Sequence, residues 1–343
     1  MNQRNALALA TLVLAAAACS DSPTVSEPTA AVPAPNFDLT RSVNGYTRHV
    51  LPTRELADQI NKVKPSGGGG GGTGIYYHGG PVLQAATNVV AVYWSGSTIY
   101  NGGPAPGSYS TSSTSGDGSL VGYFLGHLGG SRYFNINTTY TDGSGRAIAN
   151  VVNYTGYWAN NQSPLVPSGT QNVSDADMVA MLQYGFDHGY LVYDASTLYN
   201  IFSNGTVNLG GGYASPLQYC AYHTHGTVTV GGVARTVLYS AMPYNAAYPA
   251  SCSSNASTTP NGDKPADYEV NTLAHEIEET TTDMLGSAWW DRRGYENADK
   301  CAWQWGTTFS SGGGAANIAV GTKNFLVQMN WINSGSGGCR NSL

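Results

Sequence analysis

His275, Glu276 and Glu279 stand as His-Glu-x-x-Glu in the run Tyr268 to Leu285. On a 3.6-residue period, His275, Glu279 and Asp283 follow at i, i+4 and i+8 and share one side of a helix. Glu276 is turned about 100° away. An imidazole and a carboxylate one turn apart repeat the geometry of the H-E-x-x-H zinc helix, with Glu279 in the place of the second histidine. In that arrangement His275 and Glu279 bind the metal and Glu276 is the base that takes a proton from water. A third ligand must come from outside the helix. Glu296 and Asp299 are the candidates, one as ligand and the other orienting a ligand from behind. Asp283 is a further candidate. Zinc is the expected ion and calcium the alternative, since carboxylates serve both.

The acidic residues are unevenly spread. From residue 73 onward there are sixteen Asp and Glu, and ten of them lie between Asp263 and Asp299. A solvated helix face is the ordinary reason for such a cluster, but the segment that follows argues for more. After the helix come Trp289-Trp290, a turn around Gly294, then Glu296, Asp299 and Cys301, so a loop tied by a disulfide can return a ligand to the helix. His223 and His225, at i and i+2, would point to one side of a strand and form a second candidate pair.

The elements that must carry these residues are legible as periodicities. Val270, Leu273, Ala274, Ile277, Thr281 and Met284 repeat at three- and four-residue intervals and predict a helix over Tyr268 to Leu285 with this stripe buried. Asn88 to Trp94 reads as a buried strand. Leu120 to Leu128 and Asp175 to His188 read as helices, the second capped by Ser174. Gln218 to Ser240 reads as a hairpin turning at Gly231-Gly232, and Phe325 to Trp331 as a late strand. Strands before and after a few helices predict a single α/β or α+β domain with a mixed sheet.

That domain is expected over residues 73–343. Residues 1–19 read as an export signal: Arg4, an apolar run Ala6 to Ala18, and Ala16-Ala17-Ala18 ending at Cys19. Either Cys19 is lipidated at a lipobox-like end, which would be the one link to a membrane, or an ordinary signal is cut nearby. Residues 20–72 read as a flexible tether, rich in Pro and Ala, with a modest helical stretch around Thr53 to Val63 and six consecutive glycines, Gly67 to Gly72. In an oxidising compartment the four remaining cysteines predict two disulfides, and sequence proximity favours Cys220 with Cys252 and Cys301 with Cys339. The net charge is −6 with 10% charged residues, which argues against a nucleic-acid partner.

Several blocks together resemble the phosphate-induced protein 1 family, whose plant members are called EXORDIUM and EXORDIUM-like. They are Ala274 to Glu279, Ser287-Ala288-Trp289-Trp290, Glu296-Asn297-Ala298-Asp299-Lys300-Cys301, Tyr77 to Leu83, Val92-Tyr93-Trp94 and Cys220-Ala221-Tyr222-His223. The resemblance implies an extracellular or wall-associated protein without a settled enzymatic activity. Two functions follow from the residues. One is a metal-dependent hydrolase acting on a peptide or other acyl bond. The other is a non-catalytic surface protein that binds a wall polymer or a partner and uses the acidic cluster for a structural ion.

Overall fold

Asn44-Gly45 forms a two-residue turn with both residues at positive φ, 50° and 87°, the conformation that this dipeptide adopts most readily in hairpins. It joins β1 (Thr40–Val43) to β2 (Tyr46–Pro52), and α1 (Arg54–Lys62) follows. In this computed structural model the described residues are 40–62, 74–162, 171–205, 207–209 and 219–343. The signal segment, Cys19 and the glycine run lie outside them. Within the expected tether, residues 40–62 are corrected: Tyr46 to Pro52 is a strand of the main sheet, with Leu51, Val50 and His49 opposite Ala221, Tyr222 and His223, and Pro52 opposite Tyr219 across a register shift. The described residues all fall in one unit, Phe37–Leu343.

The main sheet contains β3 (Thr87–Trp94), β4 (Tyr109–Ser110), β5 (Val152–Asn160), β6 (Thr197–Ser203), β7 (Tyr219–Val230) and β8 (Val233–Met242) besides β1 and β2. Its order is β1-β2-β7-β8-β6-β3-β5-β4. The centre is parallel, β8 with β6, β6 with β3 and β3 with β5, and the remaining neighbours are antiparallel. The mixed sheet with few helices agrees with the α/β or α+β domain expected, and β7 and β8 are the hairpin expected around Gly231-Gly232.

Alternation along the strands sends successive side chains to opposite faces, and a helix layer covers each. On one face Ala91, Leu198, Ala221 and Leu238 pack against α2 (Leu120–His127) and α4 (Lys264–Thr282). On the other, Val50, Val92, Ile201, Tyr222 and Tyr239 pack against α3 (Asp175–Asp187). Ser174 caps α3 through a reciprocal bond with Asp177. Arg48 pairs with Asp175, whose other oxygen accepts the Tyr222 and Tyr239 hydroxyls. Because Tyr222 and Val50 face α3, their neighbours His223 and His49 face α4.

Helix α4 begins four residues before the expected Tyr268, since the Asp263 carboxylate caps it and Pro265 fits the first turn. Every residue from Ala266 to Thr282 is buried, so its polar side faces protein and not solvent. The late strand is also corrected. Lys323–Phe325 and Asn330–Ile332 are separate short strands, and between them the chain turns Gln328 toward α4.

Candidate metal centre

His275, Glu276 and Glu279 project from α4 toward β7 and β2, where His223 lies directly opposite His49 in the ladder. The two imidazoles stack with centroids 4.9 Å apart. Glu296 and Asp299 arrive from the loop after α4. A strap holds that loop in place: Tyr76–Tyr77 pairs with Trp289–Trp290, His78 N–H donates to Ala288 O, Gly80 N–H to Ser287 O, and Leu83 N–H to Thr281 O. A Cβ on Gly80 would lie 2.2 Å from the Ser287 hydroxyl, so the close approach requires glycine there. His78 itself stacks on Trp290. Asp291 accepts N–H groups of Arg293 and Tyr295 and the Lys300 ammonium, closing the turn that brings Glu296 back. The disulfides Cys301–Cys339 and Cys220–Cys252 anchor the Asp299 segment and the start of β7.

Among the described residues three sets of possible ligands result, each with its ligand atoms within 4.8 Å of one another: His275, Glu279 and Asp299; His223, Glu276 and Glu279; and His49, His223 and Glu296. The structure therefore groups Asp299 with His275 and Glu279, and Glu296 with the strand histidines. Asp283 is not in any of these sets; it caps the end of α4 by accepting the Ser287 and Ala288 N–H groups. His225 is half-buried and also outside them. His49 was hidden by the tether reading, although the Asn44-Gly45 hairpin signal and the run Tyr46 to Pro52 carry the information needed to find its strand.

His275 Nε2 is 3.0 Å from Glu279 Oε1 and 3.6 Å from Asp299 Oδ1, without hydrogen-bond alignment to either. His223 Nε2 is 3.5 Å and His49 Nδ1 3.4 Å from Glu296 Oε2. Two ligands about 2.1 Å from one ion and about 90–120° apart around it are separated by about 3.0–3.6 Å, so these contacts fit the edges of coordination shells. Orphaned atoms add to this. His223 Nε2, His275 Nε2, Glu276 Oε1, Glu279 Oε2, Asp299 Oδ1 and both Glu296 oxygens are buried without a hydrogen-bond partner. Leaving such groups unpaired in a protein interior is costly.

The electrostatics follow from burial. His275, Glu276 and Glu279 are 0% exposed and His223 and Glu296 1%, while His49 and Asp299 keep 9%, so the cluster approaches solvent only at these two. Burial pushes Glu276 and Glu296 well above the usual carboxylate range and Glu279 up to about 7, with neighbouring carboxylates adding to the shift at all three. Burial and neighbouring imidazoles hold His49 down to about 4 and His223 well below 6.5. Burial also opposes charge on His275, but Glu279 and Asp299 outweigh it and raise that ring. Burial therefore favours the neutral forms of Glu276, Glu279 and Glu296, and a bound cation would displace their protons.

One contact bears on the fit of His275. Gln328 Oε1 accepts the Trp303 N–H, which points Nε2 at His275 Nδ1, 2.7 Å away. Nδ1 is then an acceptor and the ring proton of neutral His275 is on Nε2. A cation on Nε2 requires the other tautomer, and hence a turned Gln328 amide. The site and fold together define a three-layer α/β domain with buried histidines and carboxylates able to hold a metal ion. Comparison of the chain with protein-family models, curated proteins and solved structures finds no match. Among the described residues no helix is long and apolar enough to cross a membrane, and the two disulfides are compatible with an exported protein.

Proposed function

We propose that this chain is an exported EXORDIUM-like protein that hydrolyses a peptide or related acyl bond with a metal ion, zinc by the donor chemistry, held by His275, Glu279 and Asp299. The observation that carries the reading is the convergence of buried ligand atoms that lack hydrogen-bond partners on one helix face. The ion supplies Lewis-acid polarisation of the acyl carbonyl when bound. Glu276 has one oxygen on His223 Nδ1–H and the other unengaged. The unengaged oxygen takes the proton of the attacking water and passes it to the leaving amine, so that water is divided between acid and amine. Glu296 serves the strand histidines. In the outer part of this reading Cys19 is the lipid anchor and a wall peptide or polymer the partner.

A second reading rests on burial. Structural ions sit in closed shells, and five of the seven ionisable groups here are essentially sealed from solvent. In that case the ion stabilises a surface-binding protein. Glu276→Gln separates the two. For the hydrolase, metal content stays at the parent level while turnover of a peptide library falls by about 10²–10⁴-fold. Equal turnover in parent and variant, or turnover in neither, leaves the structural ion as the better account.

A further inference from the structure

The ion held by His275, Glu279 and Asp299 leaves the strand pair His49 and His223, and Glu296, without a ligand of their own. We propose that His49 Nδ1, His223 Nε2 and Glu296 Oε2 form a second divalent-cation position beside the first, making the site a two-ion centre. This deepens the hydrolase reading but depends on different residues.

The tautomer of His223 is the first argument. Its Nδ1 is 3.2 Å from Glu276 Oε2, which accepts the ring proton in the Nδ1–H tautomer, and 3.6 Å from Glu279 Oε2. In that tautomer the lone pair is on Nε2, which has no aligned hydrogen-bond partner and is 3.5 Å from Glu296 Oε2. A carboxylate behind a histidine whose other nitrogen faces a cation is the usual support of a metal-ligating imidazole. Both Glu296 oxygens also lack a donor, at 1% exposure. The His49 ring reaches its place only because residue 286 is glycine: a Cβ there, at φ +67°, would lie 2.3 Å from His49 Nε2.

Donor type agrees. Glu276, Glu279, Glu296 and Asp299 bring four carboxylates to the cluster. Two imidazoles with one glutamate are a recurrent catalytic zinc set, whereas the first position is richer in oxygen. In hydrolases paired ions act on the two sides of the bond being cleaved. The His223 ring links the positions, with the Glu276 and Glu279 carboxylates at one nitrogen and Glu296 at the other.

The test is zinc stoichiometry of the full chain, loaded with zinc and freed of excess, by elemental analysis. His49→Ala, His49→Gln and His275→Ala are measured beside the parent, with near-UV circular dichroism reporting folding. Each substitution is expected to remove one zinc equivalent from a parent value of two. If both His49 variants retain the parent stoichiometry while His275→Ala loses metal, the second position is overturned and the first stands. Loss in the His49 variants with none in His275→Ala supports the second position and overturns the ligand set of the proposed function. A parent without zinc overturns both, and it does so whether or not any variant folds.

Discussion

Gln328 decides which nitrogen of His275 can meet a cation. As long as its amide nitrogen faces Nδ1, the imidazole lone pair is spent away from Glu279 and Asp299. A carboxylate at this position would accept both the Trp303 N–H and a proton on Nδ1, freeing Nε2. Gln328→Glu is therefore expected to tighten zinc binding about tenfold, in line with the effect of outer partners on metal affinity. Competition with a chelator of known affinity measures it, and an unchanged or weakened Kd would show that Gln328 does not set the tautomer. His275, Glu276 and Glu279 were legible at this scale because helix periodicity is a local property. Gln328 was not, since nothing near it in sequence marks it as facing a histidine 53 residues away.

Along α4, carboxylates on a fully buried helix couple folding to pH. Glu269 is remote from the ligand sets and lies near Tyr100, Asn245 and Thr272, and burial pushes its pKa up to about 8. Its folded pKa is above the unfolded value. The unfolded chain thus loses this proton first, and the folded state is increasingly disfavoured from about pH 4.5 to about 8. By pH 7 the difference is roughly 3 kcal/mol, at 1.36 kcal/mol per pKa unit. Glu269→Gln, which keeps the shape of the neutral acid, should remove this contribution. Thermal melts of both proteins between pH 5 and 8 are expected to diverge with rising pH in favour of the variant, and parallel curves would refute the assignment. The helix itself was expected from its apolar stripe, and its earlier start follows from Asp263 and Pro265. That its polar side is buried could not be read, because the same letters describe a solvated face.

For the whole molecule, the β1–β2 hairpin is part of the fold and of the site. A chain beginning at Thr73 lacks β2, exposes the edge of β7 and removes His49. Such a chain is expected to show a lower melting temperature, a tendency to associate through the bared edge, and one zinc equivalent fewer than the full chain. Size-exclusion chromatography with metal analysis checks this, and a monomeric fragment with undiminished zinc would exclude a role for β2. The sequence by itself determined the elements with strong local signals: the strand Asn88 to Trp94, the Ser174-capped helix, the Gly231-Gly232 hairpin and the His-Glu-x-x-Glu helix. Each is governed by interactions between residues close along the chain, whereas the two disulfides, favoured by proximity, span 32 and 38 residues. Only the tertiary structure decided which carboxylate joins which histidine. Glu296 and Asp299 are three residues apart and chemically alike, and their separation into two ligand sets depends on the strap over Ser287 to Trp290, the turn at Asp291 and the ladder that puts His49 opposite His223. The strap and the ladder join segments far apart in sequence, and no local periodicity encodes them.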